Sequence, residues 1–429
     1  EVVCVGVSGM GPCVALTAAD GTPLRPAILY GVDTRASRQI AALNDQLGGD
    51  DTILARCGSV LSSQAAGPKI AWVREEEPEV YQRAQRLFMP ASYLVWHLTG
   101  AYTLDHQSAS QCTPLYDIEA RDWYRPWADI VAPGIPLPEL RWAGDIAGTI
   151  SQAAADDTGL APGIPVVTGT IDAWAEALSV DAHNVGDLML MYGTTMFFIN
   201  TVTQPVRSAE LWSTIGALKD TRNVAGGMAT SGAITAWLRE LFGSDYRELV
   251  GAAAISPPGA NGLVMLPYFA GERTPILDPD ARGVIAGLSL EHSRGDLYRA
   301  ALEATAFGVR HNIEAIEAAG GTIDRIVCVG GGTQGDVWPQ IVSDITNRVQ
   351  VIPTETIGAS YGMAWLAACA LQPSSPARWN PPARTLEPRG EVRWRYDELY
   401  RHYRDLYHHT AAIQHALSAI QHDTARERR

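Results

Sequence analysis

A short apolar strand that runs directly into three glycines is the feature that most constrains this chain. Residues 326–329 (IVCV) precede Gly330-Gly331-Gly332, and helical periodicity follows over 336–347. Glycines after a strand let a ligand approach the backbone closely, and the start of the next helix presents free N–H groups. The junction predicts a ligand-binding strand–turn–helix unit. A flexible strand-to-helix turn without a ligand is the alternative.

The same junction does not fit two common nucleotide motifs. The glycine run has no GKS or GKT ending, which a P-loop requires. No clear βαβ unit with a downstream acidic residue accompanies it, so the Rossmann fingerprint is not met in its usual setting.

Strands alternate with helices along most of the chain, which predicts an α/β architecture. The segment 373–388 is rich in Pro, Ser and Arg, lacks periodicity and is predicted to be irregular. The predicted strands are 1–6, 13–17, 164–168 and 188–200, and the predicted helices are 173–179, 230–242, 296–319, 360–371 and 394–420.

Bulk properties narrow the class of protein. A length of 429 residues suggests two or three domains. The net charge of −14 opposes nonspecific nucleic-acid binding, and no run of 18 apolar residues predicts a membrane span. Six scattered cysteines form no CxxC pair, which argues against structural zinc and favours a reducing cytoplasm.

Two short motifs are candidates for chemistry. Gly169-Thr170-Ile171-Asp172 follows the strand IPVVT, and a carboxylate at a strand's end is well placed as a general base. Helix N-capping is the commoner role for such an Asp. The turn Tyr192-Gly193-Thr194-Thr195 can bind phosphate through N–H and hydroxyl groups, although such a turn is more often a plain hairpin.

The stretch from Gly283 to Glu303 (GVIAGLSLEHSRGDLYRAALE) resembles a signature of the FGGY family of carbohydrate kinases. The matching elements are Gly283, Ile285, Gly287-Leu288, Asp296-Leu297 and Ala300-Ala301-Leu302-Glu303. The resemblance implies an α/β, two-lobed actin/hexokinase/Hsp70-like (ribonuclease H-like) fold with an interlobe cleft. It further implies an N-terminal sugar-binding domain over 1–181 and a C-terminal nucleotide-binding domain over 182–429.

The resemblance also implies roles for individual residues. Asp172 matches the family's Asp that takes a proton from the sugar hydroxyl, and Gly193, Thr194 and Thr195 match its second phosphate-binding motif. The family often has Ser or Asn where this chain has Gly335. The implied nucleotide-binding residues are Gly330, Gly331, Gly332 and Gly335 of the adenosine motif, and Gly358 of the later Gly-Ala-rich helix start.

The implied sugar-binding residues lie in the front part of the chain. Met10 and Gly11 stand in a loop that resembles the family's sugar-contacting SGQ loop, although xylulokinases tend to carry Met-His after it. Asp33 and Arg35 match an aromatic-x-Asp-x-Arg segment, with a structural salt bridge as the alternative. Residues 98–100 and 105–117 also follow a family pattern and are assigned to architecture, with contact between one of them and the sugar as the lesser alternative.

The expected function is ATP-dependent phosphorylation of a sugar or polyol hydroxyl, most simply of a ketopentose such as xylulose or ribulose. ATP and Mg²⁺ are the expected cofactors, no metal ligand is assigned, and a homodimer is one expected assembly. The family opens with a DxGTxxxK element that has no counterpart in a sequence starting at Glu1. A chain without it is expected to transfer phosphoryl groups weakly, so an impaired kinase-like sugar- or nucleotide-binding protein is the alternative.

Overall fold

The computed structural model describes residues 1–427, with side chains described as far as residue 424. The helices are α1 Ser37–Gln46, α2 Asp50–Cys57, α3 Ala66–Glu76, α4 Pro78–Arg83, α5 Pro90–Thr99, α6 His106–Ser110, α7 Arg125–Val131, α8 Gln152–Thr158, α9 Asp172–Ser179, α10 Gly232–Phe242, α11 Tyr246–Ile255, α12 Arg294–Ala318, α13 Val337–Thr346, α14 Ala359–Leu371, α15 Pro376–Trp379 and α16 Arg393–Glu427. The strands are β1 Ser8–Gly9, β2 Ala15–Thr17, β3 Arg86–Phe88, β4 Thr103–Asp105, β5 Tyr116–Asp117, β6 Asp122–Trp123, β7 Glu139–Arg141, β8 Ile146–Thr149, β9 Pro165–Val167, β10 Thr170–Ile171, β11 Asp187–Tyr192, β12 Met196–Val202, β13 Trp212–Ile215, β14 Arg222–Met228, β15 Val264–Leu266, β16 Val284–Ala286, β17 Arg325–Val329, β18 Gln350–Pro353 and β19 Pro382–Leu386.

The chain divides into two compact units, each built from three separate segments. Unit 1 comprises Glu1–Val185, Thr201–Val224 and Glu355–Pro381. Unit 2 comprises Gly186–Asn200, Ala225–Thr354 and Pro382–Arg429. The two compact units alternate along the chain, so they do not correspond to two consecutive domains divided at 181/182. That division stays a prediction about the domains of the family.

Unit 1 packs helices against several short strand pairs. Strand β1 pairs in parallel with β10, and β8 pairs antiparallel with β9. Val95 of α5, Ile150 and Val166 of β9 are fully or almost fully buried in one apolar cluster, with Val5 and Val7 packed against it. This cluster supports the segments that lead into β1 and β10.

Helices α9 and α14 of unit 1 approach each other very closely. A Cβ atom added at Gly362 would lie 1.9 Å from the carbonyl oxygen of Ala175, so only glycine fits at this crossing. The apolar, Ala-rich sequence of α14 suits such tight helix packing because small side chains let two backbones meet. The start of α14 is thereby placed beside α9.

Unit 2 is organised around a twisted sheet in which β12, β11, β17, β18 and β19 are neighbours in that order. The β11–β17 and β17–β18 pairs are parallel, and the two outer pairs are antiparallel. The apolar run IVCV of β17 is buried, as expected for the centre of a partly parallel sheet covered by helices.

Long helices complete unit 2. The 25-residue α12 begins with a capping box in which Ser293 and Asp296 exchange hydrogen bonds. Helix α16 buries Tyr396, Tyr400 and Tyr403 at helical spacing, so one aromatic face of this helix packs in a core.

Three predicted segments differ from the structure. The single strand predicted over 188–200 is a hairpin of the antiparallel strands β11 and β12, because the turn that contains Gly193 and Thr194 interrupts it. The strand predicted over 1–6 is not formed, because only Val5 finds a backbone partner, at Val166, while Val2 and Val3 are exposed. The irregular segment predicted over 373–388 contains α15 and the strand β19. Its pairing partner β18 supplies the hydrogen bonds that override its proline-rich, aperiodic sequence.

No described helix meets the length and hydropathy that a membrane crossing requires.

Candidate active site

The parallel pair β1–β10 brings two predicted site segments together in unit 1. Ser8 is in register with Thr170, and Gly9 is in register with Ile171. The Met10-Gly11 loop and Asp172 leave this pair at the same end, since parallel strands end at a common edge. The predicted sugar loop and the predicted base are therefore neighbours.

Two glycines lie in close contact with this pair. Gly169 has φ +77°, and a Cβ atom there would lie 2.2 Å from the carbonyl oxygen of Val7. A Cβ atom at Gly11 would lie 2.6 Å from Cδ1 of Ile171. The backbone before Asp172 is thus fixed by close contacts that no larger residue permits.

Asp172 is the first residue of α9, and Ile171 occupies the capping position before it. The Asp172 Oδ1 atom accepts the Ala173 N–H at 2.8 Å. Burial raises the pKa of the Asp172 carboxyl, and hydrogen bonds from the Ala173 and Asp172 backbone oppose that rise. A half-buried carboxylate with a raised pKa is suited to accept a proton.

Glu176 is a second carboxylate on the same face of α9, one turn after Asp172. Burial raises the pKa of Glu176, and the charge of Asp172 raises it further. Its carboxylate accepts a hydrogen bond from the Ala359 backbone, and a Cβ atom at Gly358 would lie 2.8 Å from its Oε2. The predicted nucleotide residue Gly358 thus lies in unit 1 beside Glu176, which the sequence analysis missed although its i, i+4 spacing from Asp172 was visible.

Asp33 and Arg35 form the salt bridge that was the alternative to sugar binding. The Arg35 Nη2 atom lies 2.8 Å from Asp33 Oδ2, and the guanidinium stacks 4.8 Å from the Trp72 ring centroid. Hydrogen bonding from Arg35 lowers the pKa of Asp33. A role of this pair in sugar binding stays a prediction.

Lys69 is a buried cation close to these residues. Its side chain is 1% exposed, and its ammonium donates to the Ser63 carbonyl. Burial lowers its pKa to about 8, against the opposing charge of Asp33. The charges of Lys69 and Asp172 both act on the buried Cys13 thiol, which places all three groups in one region of unit 1.

In unit 2, the predicted phosphate turn links β11 to β12. The carbonyls of Gly193 and Thr194 accept N–H groups from residues 231–233 at the start of α10, at 3.0 Å each. The side chains of Thr194 and Thr195 are exposed, and their hydroxyls have no partner among the described residues. The start of α10 therefore fixes the backbone of the turn, while the hydroxyls of Thr194 and Thr195 are exposed to solvent.

The predicted adenosine loop follows β17, the parallel neighbour of β11. Gly330 has φ +93°, and a Cβ atom there would lie 2.5 Å from the Tyr192 carbonyl oxygen. Gly331 and Gly335 have nothing within 4 Å of an added Cβ, whereas Gly332 would meet the Trp338 ring at 2.8 Å. The loop is therefore anchored at its first glycine and open at Gly331 and Gly335.

Buried polar side chains beneath this loop were missed from the sequence. The Tyr192 hydroxyl donates to Gln350 Oε1 at 2.6 Å, and Gln350 Nε2 donates to the Pro339 carbonyl at 2.6 Å. The Trp338 indole donates to Thr305 Oγ1 at 2.9 Å. No local motif marks these contacts, because their partners are up to 158 residues apart in the chain.

Arg384 on β19 also contacts the loop. Its guanidinium pairs with the Asp336 carboxylate and donates to the Thr333 carbonyl, on either side of Gly335. It could not have been found without β19, which the sequence analysis did not predict.

Within residues 1–427, no group of three or more His, Cys, Asp or Glu side chains is arranged to hold a metal ion.

Comparisons with known proteins identify the family of this chain. Residues 1–179 match the N-terminal domain of the FGGY family of carbohydrate kinases, and residues 188–371 match its C-terminal domain. A xylulose kinase of Staphylococcus epidermidis is 30% identical over 373 residues, spanning 85% of this chain and 74% of that protein. A gluconokinase of Bacillus subtilis is 29% identical over 385 residues, spanning 85% and 72%.

A solved structure extends the likeness to the fold. The xylulose kinase of Rhodospirillum rubrum superposes with a TM-score of 0.90 at 28% identity, covering 97% of this chain and 86% of that one. The predicted α/β, actin/hexokinase-like fold class is confirmed. The chain belongs to the FGGY family of carbohydrate kinases, which are phosphotransferases that use ATP to phosphorylate a sugar.

Proposed function

We propose that this kinase phosphorylates a neutral ketopentose of the xylulose or ribulose type, with Asp172 as the general base. The observation that carries the proposal is the position of Asp172. Its half-buried carboxylate has a raised pKa and stands at the end of β10, beside the Met10-Gly11 loop of β1.

The proposed step is an in-line displacement. A sugar hydroxyl oxygen attacks the γ-phosphorus of ATP, the bond from phosphorus to the bridging β–γ oxygen breaks, and ADP leaves. The hydroxyl proton passes to the Asp172 carboxylate. Asp172 Oδ1 is engaged by Ala173 N–H at 2.8 Å, which orients the carboxylate for the transfer.

We propose that unit 2 holds the nucleotide at the ends of its parallel strands β11 and β17. The exposed hydroxyls of Thr194 and Thr195 are placed to contact phosphate oxygens, and the open face of Gly331 leaves room for adenine. ATP is proposed to enter with Mg²⁺, which neutralises phosphate charge in such reactions.

The charges near Asp172 favour a neutral acceptor over gluconate. A gluconate carboxylate needs a free cation, but Arg35 is paired with Asp33. Lys69 is 1% exposed and donates to the Ser63 carbonyl. The relatives named above include kinases of both xylulose and gluconate. The preference for a neutral sugar therefore rests on the engaged side chains of Arg35 and Lys69.

The test is ADP release measured with matched concentrations of D-xylulose, D-ribulose, gluconate and glycerol. We expect the highest kcat/KM with a ketopentose and a value at least ~10-fold lower with gluconate, since an uncompensated charge costs more than ~1.4 kcal/mol. ADP release by an identically prepared Asp172→Asn protein measures the activity of any contaminating kinase, and this background is subtracted. A preference for gluconate or glycerol would refute the proposed substrate class.

A further inference from the structure

A buried polar network lies behind the strand that carries the proposed base. The Thr170 Oγ1 atom is 2.9 Å from Asp105 Oδ2 and 3.1 Å from Gln107 Oε1. Thr170 and Gln107 are fully buried, and Asp105 is 2% exposed. Asp105 ends β4 and Gln107 lies in α6, so the network ties β10 to segments more than 60 residues earlier in the chain.

Counting protons determines the direction of these bonds. The Thr170 hydroxyl has one hydrogen but faces two acceptor oxygens, while the buried Gln107 Nε2 has no partner among the described residues. Asp105 Oδ2 already accepts the Ser108 N–H, so this oxygen acts as an acceptor, and burial raises the pKa of the carboxyl to about 6. Amide oxygen and nitrogen are assigned from hydrogen bonding, and exchanging them lets Gln107 Nε2 donate to Thr170 while Thr170 donates to Asp105.

The network completes the support of β10 from its second face. Successive side chains of a strand point to opposite faces, so Thr170 faces Asp105 while Ile171 faces Gly11. The next residue along the chain is Asp172. Any shift of this two-residue strand would therefore move the Asp172 carboxylate.

We propose that Asp105 is a positioning residue for phosphoryl transfer, acting through the Thr170 hydroxyl and assisted by Gln107 to hold Asp172 in place. The inference rests on the proposed role of Asp172 as the base. It assigns a function to a segment whose sequence pattern alone indicates only architecture.

A purely structural role for Asp105 is the competing explanation. The same Asp105 Oδ2 atom accepts the Ser108 N–H at 3.2 Å and so caps the short helix α6. Loss of a cap lowers stability but does not act selectively on kcat. Replacing Asp105 by Asn preserves a good capping residue, and this allows the two roles to be separated.

The test compares Thr170→Val, Asp105→Asn and the double variant, with steady-state kinetics in both substrates and thermal unfolding of each. We expect kcat to fall ~10-fold in Thr170→Val while both KM values stay within ~2-fold, because misplacing a catalytic group affects the chemical step. Asp105→Asn is expected to lower kcat ~3-fold, and the double variant no further than Thr170→Val, because the residues act as one unit. Thr170→Ser restores the hydroxyl and should restore kcat.

Thr346→Val is the control for losing a buried hydroxyl. Among the described residues, its Oγ1 atom bonds only to the Val342 carbonyl of the same helix, and we expect lower stability with unchanged kcat. The inference is overturned if Thr170→Val behaves in the same way, or if the effects of Asp105→Asn and Thr170→Val multiply. The Asp172→Asn variant, measured in the same assay, distinguishes a failure of the proposed function from a failure of the Asp105 inference. Full activity of that variant would refute the proposed function itself, whereas its inactivity beside a normal Thr170→Val would refute only this inference.

Discussion

The two glycine-containing turns proposed to carry the chemistry are built in opposite ways. The turn at Gly169 is enclosed, with the Val7 carbonyl only 2.2 Å from the place a Cβ would take. The loop from Gly330 to Gly335 is anchored at Gly330 but has open space at Gly331 and Gly335. A turn that aims a base tolerates no change of backbone, whereas a loop that receives a ligand needs free space. Glycine serves both needs, so the residue type alone does not tell them apart.

The largest effect that would test this contrast is expected at Gly169. An alanine there must keep φ near +77° and place a methyl group against Val7, so we expect a loss of about 3 kcal/mol or more and loss of activity. Gly159 is the matched control, because it has φ +74° but nothing within 4 Å. Gly159→Ala should lose only about 1 kcal/mol in chemical denaturation. Equal losses in both variants would show that the close contact is unimportant.

At the open loop, a methyl group should affect binding and not folding. We expect Gly331→Ala to raise the KM for ATP ~10-fold while the melting temperature stays within about 1 °C, because the methyl meets no protein atom but occupies the ligand's space. Gly332→Ala is the contrasting variant, since its methyl would strike Trp338 and should lower stability. An unchanged KM for ATP in Gly331→Ala would remove this loop from the nucleotide site.

The pH dependence tests the raised pKa of Asp172. A base must be deprotonated, so kcat/KM should fall as the pH drops through a midpoint above the ordinary aspartate value of about 3.9. Because the pKa of Asp172 is higher in the folded protein than in the unfolded chain, protonation of Asp172 stabilises the folded state. This stabilisation is complete at pH values below the pKa of the unfolded chain, and it is lost as the pH rises through the pKa of the folded protein. At pH 7 the charged carboxylate therefore costs stability, and Asp172→Asn should melt no lower than the parent. A lower melting temperature for the variant would contradict burial as the cause.

The smallest predicted effect concerns Gly335. An added Cβ atom there has nothing within 4 Å, so a serine side chain has room to offer the ligand a hydroxyl. We expect Gly335→Ser to lower the KM for ATP ~2- to 5-fold, as one added hydrogen bond allows. An increased KM would indicate that the ligand packs directly against Gly335.

The local parts of this site could be predicted from the sequence, and the long-range parts could not. The helix after Asp172 and the strands before Gly193 and Gly330 are confirmed, because apolar runs and glycines mark such junctions over a few residues. The Thr170–Asp105 bond joins residues 65 positions apart, and no periodicity signals it. The roles of the residues in binding and catalysis stay predictions.

The organisation of the chain shows the same limit. Segments 201–224 and 355–381 belong to unit 1, although the predicted boundary at 181/182 assigns them to the second domain. Strand β19 was missed because it lies in the proline-rich segment 373–388, and its pairing with β18 is visible only in the three-dimensional structure. Contacts between distant segments decided these features.

The most direct test of the central claim is single-turnover phosphoryl transfer by Asp172→Asn with saturating ATP and the preferred sugar. We predict a rate ~10²- to 10⁴-fold below that of the parent, with unchanged affinity for ATP, because the amide cannot accept the hydroxyl proton. Asp157→Asn, which removes an exposed carboxylate from α8 in the same unit, should transfer at the parental rate. A rate for Asp172→Asn within ~3-fold of the parent would contradict the assignment of Asp172 as the base.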